Sequence, residues 1–272
     1  MRAHRTLIVS LILTLALAVP AVASGKRLIM AGSTAMLPLV QKLAAAYHQQ
    51  NPRIPAPKVG GCQSGCGITE VAAGRVDIAD VSRDPLESDP HHLVFTKVAR
   101  DGVCMMTNSA NPLGNISQET VQEIYDGSIR DWSNVPGSTM TGPIDLFDHD
   151  QAAGTQDAFQ NIFMGEGLKI SPSATQESSE GLEVNAVHAD PKAIGFTSFA
   201  ATINGGVHDI PYQGIPCTLQ NAKSGQYGGV RNFWMVTKGR PTGEAEKFIA
   251  WVVKPGNKVA RSIIASEWIA IH

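Results

Sequence analysis

The chain carries no excess of positive charge. Its 22 Lys and Arg face 24 Asp and Glu, which excludes the basic footprint of a nucleic-acid-binding domain. It has no low-complexity tract and no repeat of solenoid period, so array architectures are set aside. Beyond the first segment, no stretch is apolar enough to span a membrane. Aromatic residues are few, at 6%, and charged residues make up 17%. Against these shortages stand 43% hydrophobic residues, 26 Gly and 16 Pro among 272 residues. That is the composition of a globular chain rich in turns and long enough for two domains.

The first 23 residues read as a secretory signal peptide. Arg2 and Arg5 give a positive start, Leu7 to Val19 is apolar, and Ala21-Val22-Ala23 is a small-x-small cleavage site. No Cys follows the apolar stretch, which argues against a lipid-anchored start. The expected location is periplasmic or secreted. Removing Arg2 and Arg5 leaves 20 Lys and Arg against 24 Asp and Glu, a formal charge of −4. A mildly acidic protein that binds an anion relies on local dipoles and a few placed cations. Four Cys remain, Cys62, Cys66, Cys104 and Cys217. Export makes disulfides plausible, and four Cys allow three full pairings.

Strand-like and helix-like runs alternate along the mature chain, which indicates an α/β fold. Leu28-Ile29-Met30 precedes a helix bearing Leu37, Val40, Leu43 and Tyr47, which Asn51-Pro52 stops. Ser117 caps a helix that ends at Asp126-Gly127. Separate strands are expected at Val94–Val98 and Val103–Met106, and others at Ala193–Phe199 and Phe233–Val236. Between these runs lie three glycine-rich turns. They are Ala31-Gly32-Ser33-Thr34, Gly60-Gly61-Cys62-Gln63-Ser64-Gly65-Cys66-Gly67 and Ala153-Gly154-Thr155. Each follows a strand and opens a helix. Such a turn aims unpaired N–H groups and the positive helix end at one point, which suits an oxyanion. Plain N-capping explains any one of them; three in one chain suggest a shared anion.

With these motifs in family order, the chain resembles the phosphate-type solute-binding proteins of ABC transporters. The matching segments include Ala31-Gly32-Ser33-Thr34-Ala35-Met36-Leu37-Pro38, Gly65-Cys66-Gly67-Ile68, Gly74-Arg75-Val76-Asp77-Ile78-Ala79 and Ser82-Arg83. Others are Asp101-Gly102-Val103, Gly154-Thr155-Gln156-Asp157-Ala158-Phe159, Ala193-Ile194-Gly195-Phe196 and Lys223-Ser224-Gly225-Gln226-Tyr227. The resemblance implies a two-lobed type II periplasmic-binding-protein fold with two hinge crossover strands, placed near Asp101–Thr107 and Ala193–Ala200. Lobe 1 is then residues 26–104 plus 200–272, and lobe 2 is 105–199. Ligand sits in the cleft between them.

The resemblance also implies a ligand set: Ser33, Thr34 and Ala35 in the first turn; Ser64, Gly65 and Cys66 in the second; Ser82 and Arg83; and His149, Ala153, Gly154 and Thr155 around the third. The chain departs from the family at several of these positions. His149 and Ala153 stand where relatives often have Arg and Ser. Arg83 falls where some phosphate binders have an Asp, and it becomes the expected main cation, with an ion pair to Asp80 or Asp84 as the alternative. Cys62 and Cys66 replace small residues. Three readings of this pair stay open. One is a disulfide that stiffens the loop. Another is two free, partly buried thiols. The third is a thiolate pair that takes a thiophilic metalloid such as arsenite, with Cys104 or His149 in reach.

The leading function is an exported binding protein for a small tetrahedral oxyanion, phosphate or phosphate-like. It acts as a monomer, needs no cofactor and delivers its ligand to an ABC permease. The alternative in the same class is a sensor presenting its ligand to a membrane histidine kinase. A different class is a thiol-dependent enzyme using Cys62, Cys66 and His149. No nucleophile–base–orienter set supports it, so the expectation is no enzyme.

Overall fold

A computed structural model describes residues 25–203 and 205–271; the expected leader lies outside them. Among the described residues, no helix is long and apolar enough to cross a membrane. The strands are β1 (Ile29–Gly32), β2 (Lys58–Gly61), β3 (Ile78–Val81), β4 (Leu93–Asn108), β5 (Asp145–His149), β6 (Thr175–Glu177), β7 (Ala193–Ser198), β8 (Val207–Asp209) and β9 (Val230–Lys238). The helices are α1 (Leu37–Gln50), α2 (Ser64–Ala72), α3 (Gln118–Asp126), α4 (Gly154–Phe159), α5 (Glu180–Ala189), α6 (Phe199–Thr202), α7 (Leu219–Ser224), α8 (Gly243–Val253) and α9 (Lys258–Glu267). A π turn over Gln160–Met164 continues α4.

Local chemistry sets the element ends. Pro38 sits in the first turn of α1, where its missing N–H costs nothing, and Asn51 follows the last turn. Ser117 accepts the Thr120 N–H at the start of α3, and Gly127 closes that helix in the left-handed conformation at φ 84°. The spacing read as helix in α1 is the buried face: Leu39, Val40, Leu43, Ala44 and Tyr47.

The strands form one curled sheet in the order β2-β1-β3-β9-β4-β7-β5-β6, with β8 on β4. β1 runs parallel to β2 and β3, and β5 runs parallel to β6 and β7. β4 and β9 are antiparallel neighbours from Leu93–Lys238 to Gly102–Val230. Beyond Gly102, β4 pairs instead with β7 and β8. The two expected strands at 94–98 and 103–106 are thus one strand of 16 residues.

This arrangement makes two lobes. One core gathers Leu39, Val40, Val98, Phe233, Phe248 and Trp268. The other gathers Val103, Tyr125, Trp132, Phe159, Phe163 and Phe196, with the Phe159 and Phe196 rings stacked at 3.8 Å. β4 serves both cores, Val98 on one side and Val103 on the other, as expected of the first crossover. The second crossover lies elsewhere than expected. Ala193–Ser198 is β7, inside the sheet of the second lobe. Ile210, Tyr212, Cys217 and Tyr227 still pack in the second core, and the chain returns to the first through β9. Lobe 2 therefore continues past residue 199, because β8 and the segment after it cover the far half of β4.

Candidate functional site

The three glycine-rich turns meet at the junction of the lobes. Ser33 ends the β1 turn, and its Oγ donates to Ser82 Oγ at 2.8 Å. Ser64 opens α2; its Oγ accepts the Ser82 N–H at 3.1 Å and lies 3.3 Å from Ser82 Oγ. All three serines are buried. Gly154 opens α4 from the other lobe and presses on them. A Cβ there would stand 2.4 Å from Ser64 Oγ and 2.5 Å from Ser82 Oγ, so only glycine permits this approach. Helix geometry leaves the first-turn N–H groups of α2 and α4 without intrahelical partners, and that of Gly65 finds its partner across the cleft.

Several contacts clasp the lobes. The Gly65 N–H donates to the Ala152 carbonyl at 2.9 Å. Gln63 Nε2 donates to Asp150 Oδ2 at 2.6 Å and to the Ser178 carbonyl at 2.8 Å. The Glu180 N–H reaches Thr34 Oγ1 at 3.5 Å. Gln63 holds its place at φ 74° and ψ 161°, a positive-φ region that a non-glycine residue adopts only under constraint. Cys62 and Cys66, on either side of it, form a disulfide. Cys104 pairs with Cys217. No free cysteine remains among the described residues, so the open choice at Cys62 and Cys66 resolves to the bridge. The thiolate metalloid site and the thiol-dependent enzyme both lose their premise.

The cation at the third turn is Arg231, which the sequence reading missed. Arg231 Nη1 donates to Thr155 Oγ1 at 2.6 Å. Its other nitrogens hold Asp101 Oδ2 at 2.9 and 3.2 Å. Asp101 thus fixes this guanidinium. Burial lifts the Asp101 carboxyl to about 6 despite the pull of Arg231. Arg83, expected as the main cation, is engaged elsewhere. Asp89 holds it through two bonds of 2.7 and 2.8 Å, and it also donates to the Asp84 carbonyl. The partner is Asp89, neither Asp80 nor Asp84 by side chain, because the turn after Ser82 brings residue 89 back over the guanidinium.

His149 is fully enclosed. Its Nε2 lies 2.6 Å from Glu183 Oε2 and 4.0 Å from Glu180 Oε1, and 3.1 Å from the Phe196 carbonyl. Burial alone would lower its pKa; the Glu183 and Glu180 carboxylates reverse this and lift it to about 9. The two carboxylates thus favour the charged ring, while its Nδ1 has no hydrogen-bond partner among the described residues. Burial raises Glu183, and His149 and the Phe196 N–H only partly offset that. Glu180 behaves differently. Burial pushes it up, yet His149, Arg231, Thr155 and Thr197 together hold it below the ordinary carboxylate range. It accepts hydrogen bonds from Thr155 Oγ1, Thr197 Oγ1 and, at 2.7 Å, the Ser198 N–H. A pocket of about 370 Å³ lined by Thr34, Ala35, Pro38, Glu180 and Ser198 adjoins this cluster. Ala153 is buried at the N-cap of α4 and adds no side-chain donor.

Two lobes, two shared strands and a polar cleft between helix starts define a two-lobed type II periplasmic-binding-protein fold. The chain belongs to the family described as PBP superfamily domain, whose profile matches residues 19–255. The phosphate-binding protein PstS of Bacillus subtilis is 28% identical over 250 residues, covering 90% of this chain and 80% of that protein. An ABC-type phosphate transport receptor from Vibrio cholerae superposes with a TM-score of 0.72 at 26% identity, covering 90% of this chain and all of that one. A Clostridium perfringens substrate-binding protein crystallised with bound phosphate gives a TM-score of 0.83 at 24% identity, over 91% of this chain and 100% of the other.

Proposed function

We propose that this chain is an exported receptor that captures a small tetrahedral oxyanion of the phosphate type and hands it to an ABC permease. One observation carries the reading. Hydroxyls and helix starts from three turns, Ser33 and Thr34, Ser64, and Gly154 and Thr155, converge with a buried guanidinium at one interlobe cleft. Fixed N–H and O–H donors around a cation suit an oxyanion, since hydrogen bonds to a charged acceptor are the strong ones. The names of the relatives support the same ligand class and the same transport role. The leader expected over residues 1–23 supports export, and a single chain acting as a monomer supplies the whole cleft. Capture by hinge closure needs donors and no reacting group, so the role is binding.

Calorimetry of the mature protein against phosphate, arsenate and sulfate tests this. Heat of binding with a tetrahedral anion is expected. It should weaken by about 1–3 kcal/mol in Thr34→Val and in Ser64→Ala, the scale of a lost hydrogen bond to a charged group. No heat with any of the three anions overturns the reading.

A further inference from the structure

The cradle described above already holds an oxyanion that belongs to the protein. Glu180, first residue of α5, is buried, and its carboxylate takes the hydroxyls of Thr155 and Thr197 and the N–H of Ser198. His149 Nε2 lies 4.0 Å from it, and Arg231 reaches the same Thr155 oxygen. We propose that Glu180 is the specificity-determining residue of the cleft, an internal anion that an external oxyanion must displace to reach Thr155 and Arg231. This rests on the oxyanion reading of the site.

Three observations support displacement over cohabitation. The first is hydrogen-bond supply. Thr155 has one hydroxyl proton, and Glu180 accepts it while Arg231 occupies an oxygen lone pair. An incoming anion finds that donor spent. The second is charge. Two cations, His149 and Arg231, face Glu180, Glu183 and Asp101. The positive charge of the cradle is already matched, and a second anion beside Glu180 would meet like charge in a buried place. The third is room. The pocket of about 370 Å³ has Glu180 in its wall, with Thr34, Pro38, Val184 and Ile203 around it. A side chain in the first turn of a helix can rotate into that space without moving the backbone.

Titration calorimetry with inorganic phosphate on the mature wild-type chain, Glu180→Gln and Glu180→Ala decides the matter. Glu119→Gln, which changes an exposed residue of α3, controls for net charge alone. Both Glu180 variants should bind phosphate at least tenfold more tightly than wild type, with Glu119→Gln unchanged. In Glu180→Ala, excess acetate should fill the vacated cradle and compete with phosphate, whereas wild type should ignore acetate. Thermal melts establish which variants fold, and the isosteric Gln carries the test if Ala does not. Equal or weaker phosphate binding by the folded Glu180 variants, with wild type still binding, overturns the proposal and leaves the oxyanion reading intact. Absence of binding by wild type and variants alike overturns both.

Discussion

Arg231 links Asp101 to Thr155 through one buried guanidinium. Replacing Arg231 by Met leaves Asp101 buried with its partner gone, the kind of loss that costs about 3–5 kcal/mol. Urea unfolding should show that loss, and adding Asp101→Asn should recover part of it; a change under 1 kcal/mol would show the pair to be idle. His149 gives a pH signature. Its folded pKa of about 9 lies above the ordinary 6.5. Its stabilisation is therefore complete below pH 6.5 and lost as pH rises through 9. The lift corresponds to roughly 3 kcal/mol. Asp101, Asp148 and Asp209 are lifted to about 6 by burial. As acids with raised pKa values they act lower, favouring the fold at low pH and losing that contribution by pH 6. Stability between pH 6.5 and 9 should fall in wild type and run flat in His149→Gln. Parallel curves would mean the imidazole is not charged in the fold.

At the scale of elements, much was legible and the misses have a common cause. The glycine turns announced α1, α2 and α4 because strand–turn–helix patterns depend on neighbours in sequence. The second crossover was not legible, because β7 and β9 are both apolar runs and only the long-range pairing with β4 separates their roles. Arg231 carried a signal that went unused: it lies in phase with Phe233 and Met235 on the buried face of β9. So did Glu180 and Glu183, which share a helical face with the buried Val184 and Val187. A charged residue in phase with core positions has to find a partner or a ligand inside. The Cys104–Cys217 pair was not legible, since the two are 113 residues apart and nothing local links them. It ties β4 to the segment before α7 in the second core. A loop of that length corresponds to about 4–5 kcal/mol in the chain-entropy account. Cys104→Ala with Cys217→Ala should therefore lose far more stability in denaturant than Cys62→Ala with Cys66→Ala. Equal losses would place the weight on loop rigidity at the cleft.

For the molecule as a whole, the lobes are joined covalently by β4 and β9 and closed by few contacts, and Gln63 makes two of them. Its side chain bonds Asp150 and the Ser178 carbonyl across the cleft, while its own backbone sits at φ 74°. The two features oppose each other in a Gln63→Gly variant. Glycine adopts that φ without strain, which relieves about 1–3 kcal/mol within lobe 1, while its extra freedom in the unfolded chain returns about 0.5–1 kcal/mol. Lobe 1 should not be destabilised. The interlobe clamp, however, disappears, and with it two hydrogen bonds that exist only when the lobes meet. Gln63→Gly should keep the melting temperature of wild type while its radius of gyration in solution scattering increases and its affinity for phosphate falls. A melting temperature held with an unchanged radius would show that Gly154 against Ser64 and Ser82, together with Arg231 on Thr155, closes the cleft unaided. A lowered melting temperature would show that φ 74° is no burden and that the two interlobe bonds of Gln63 carry part of the stability.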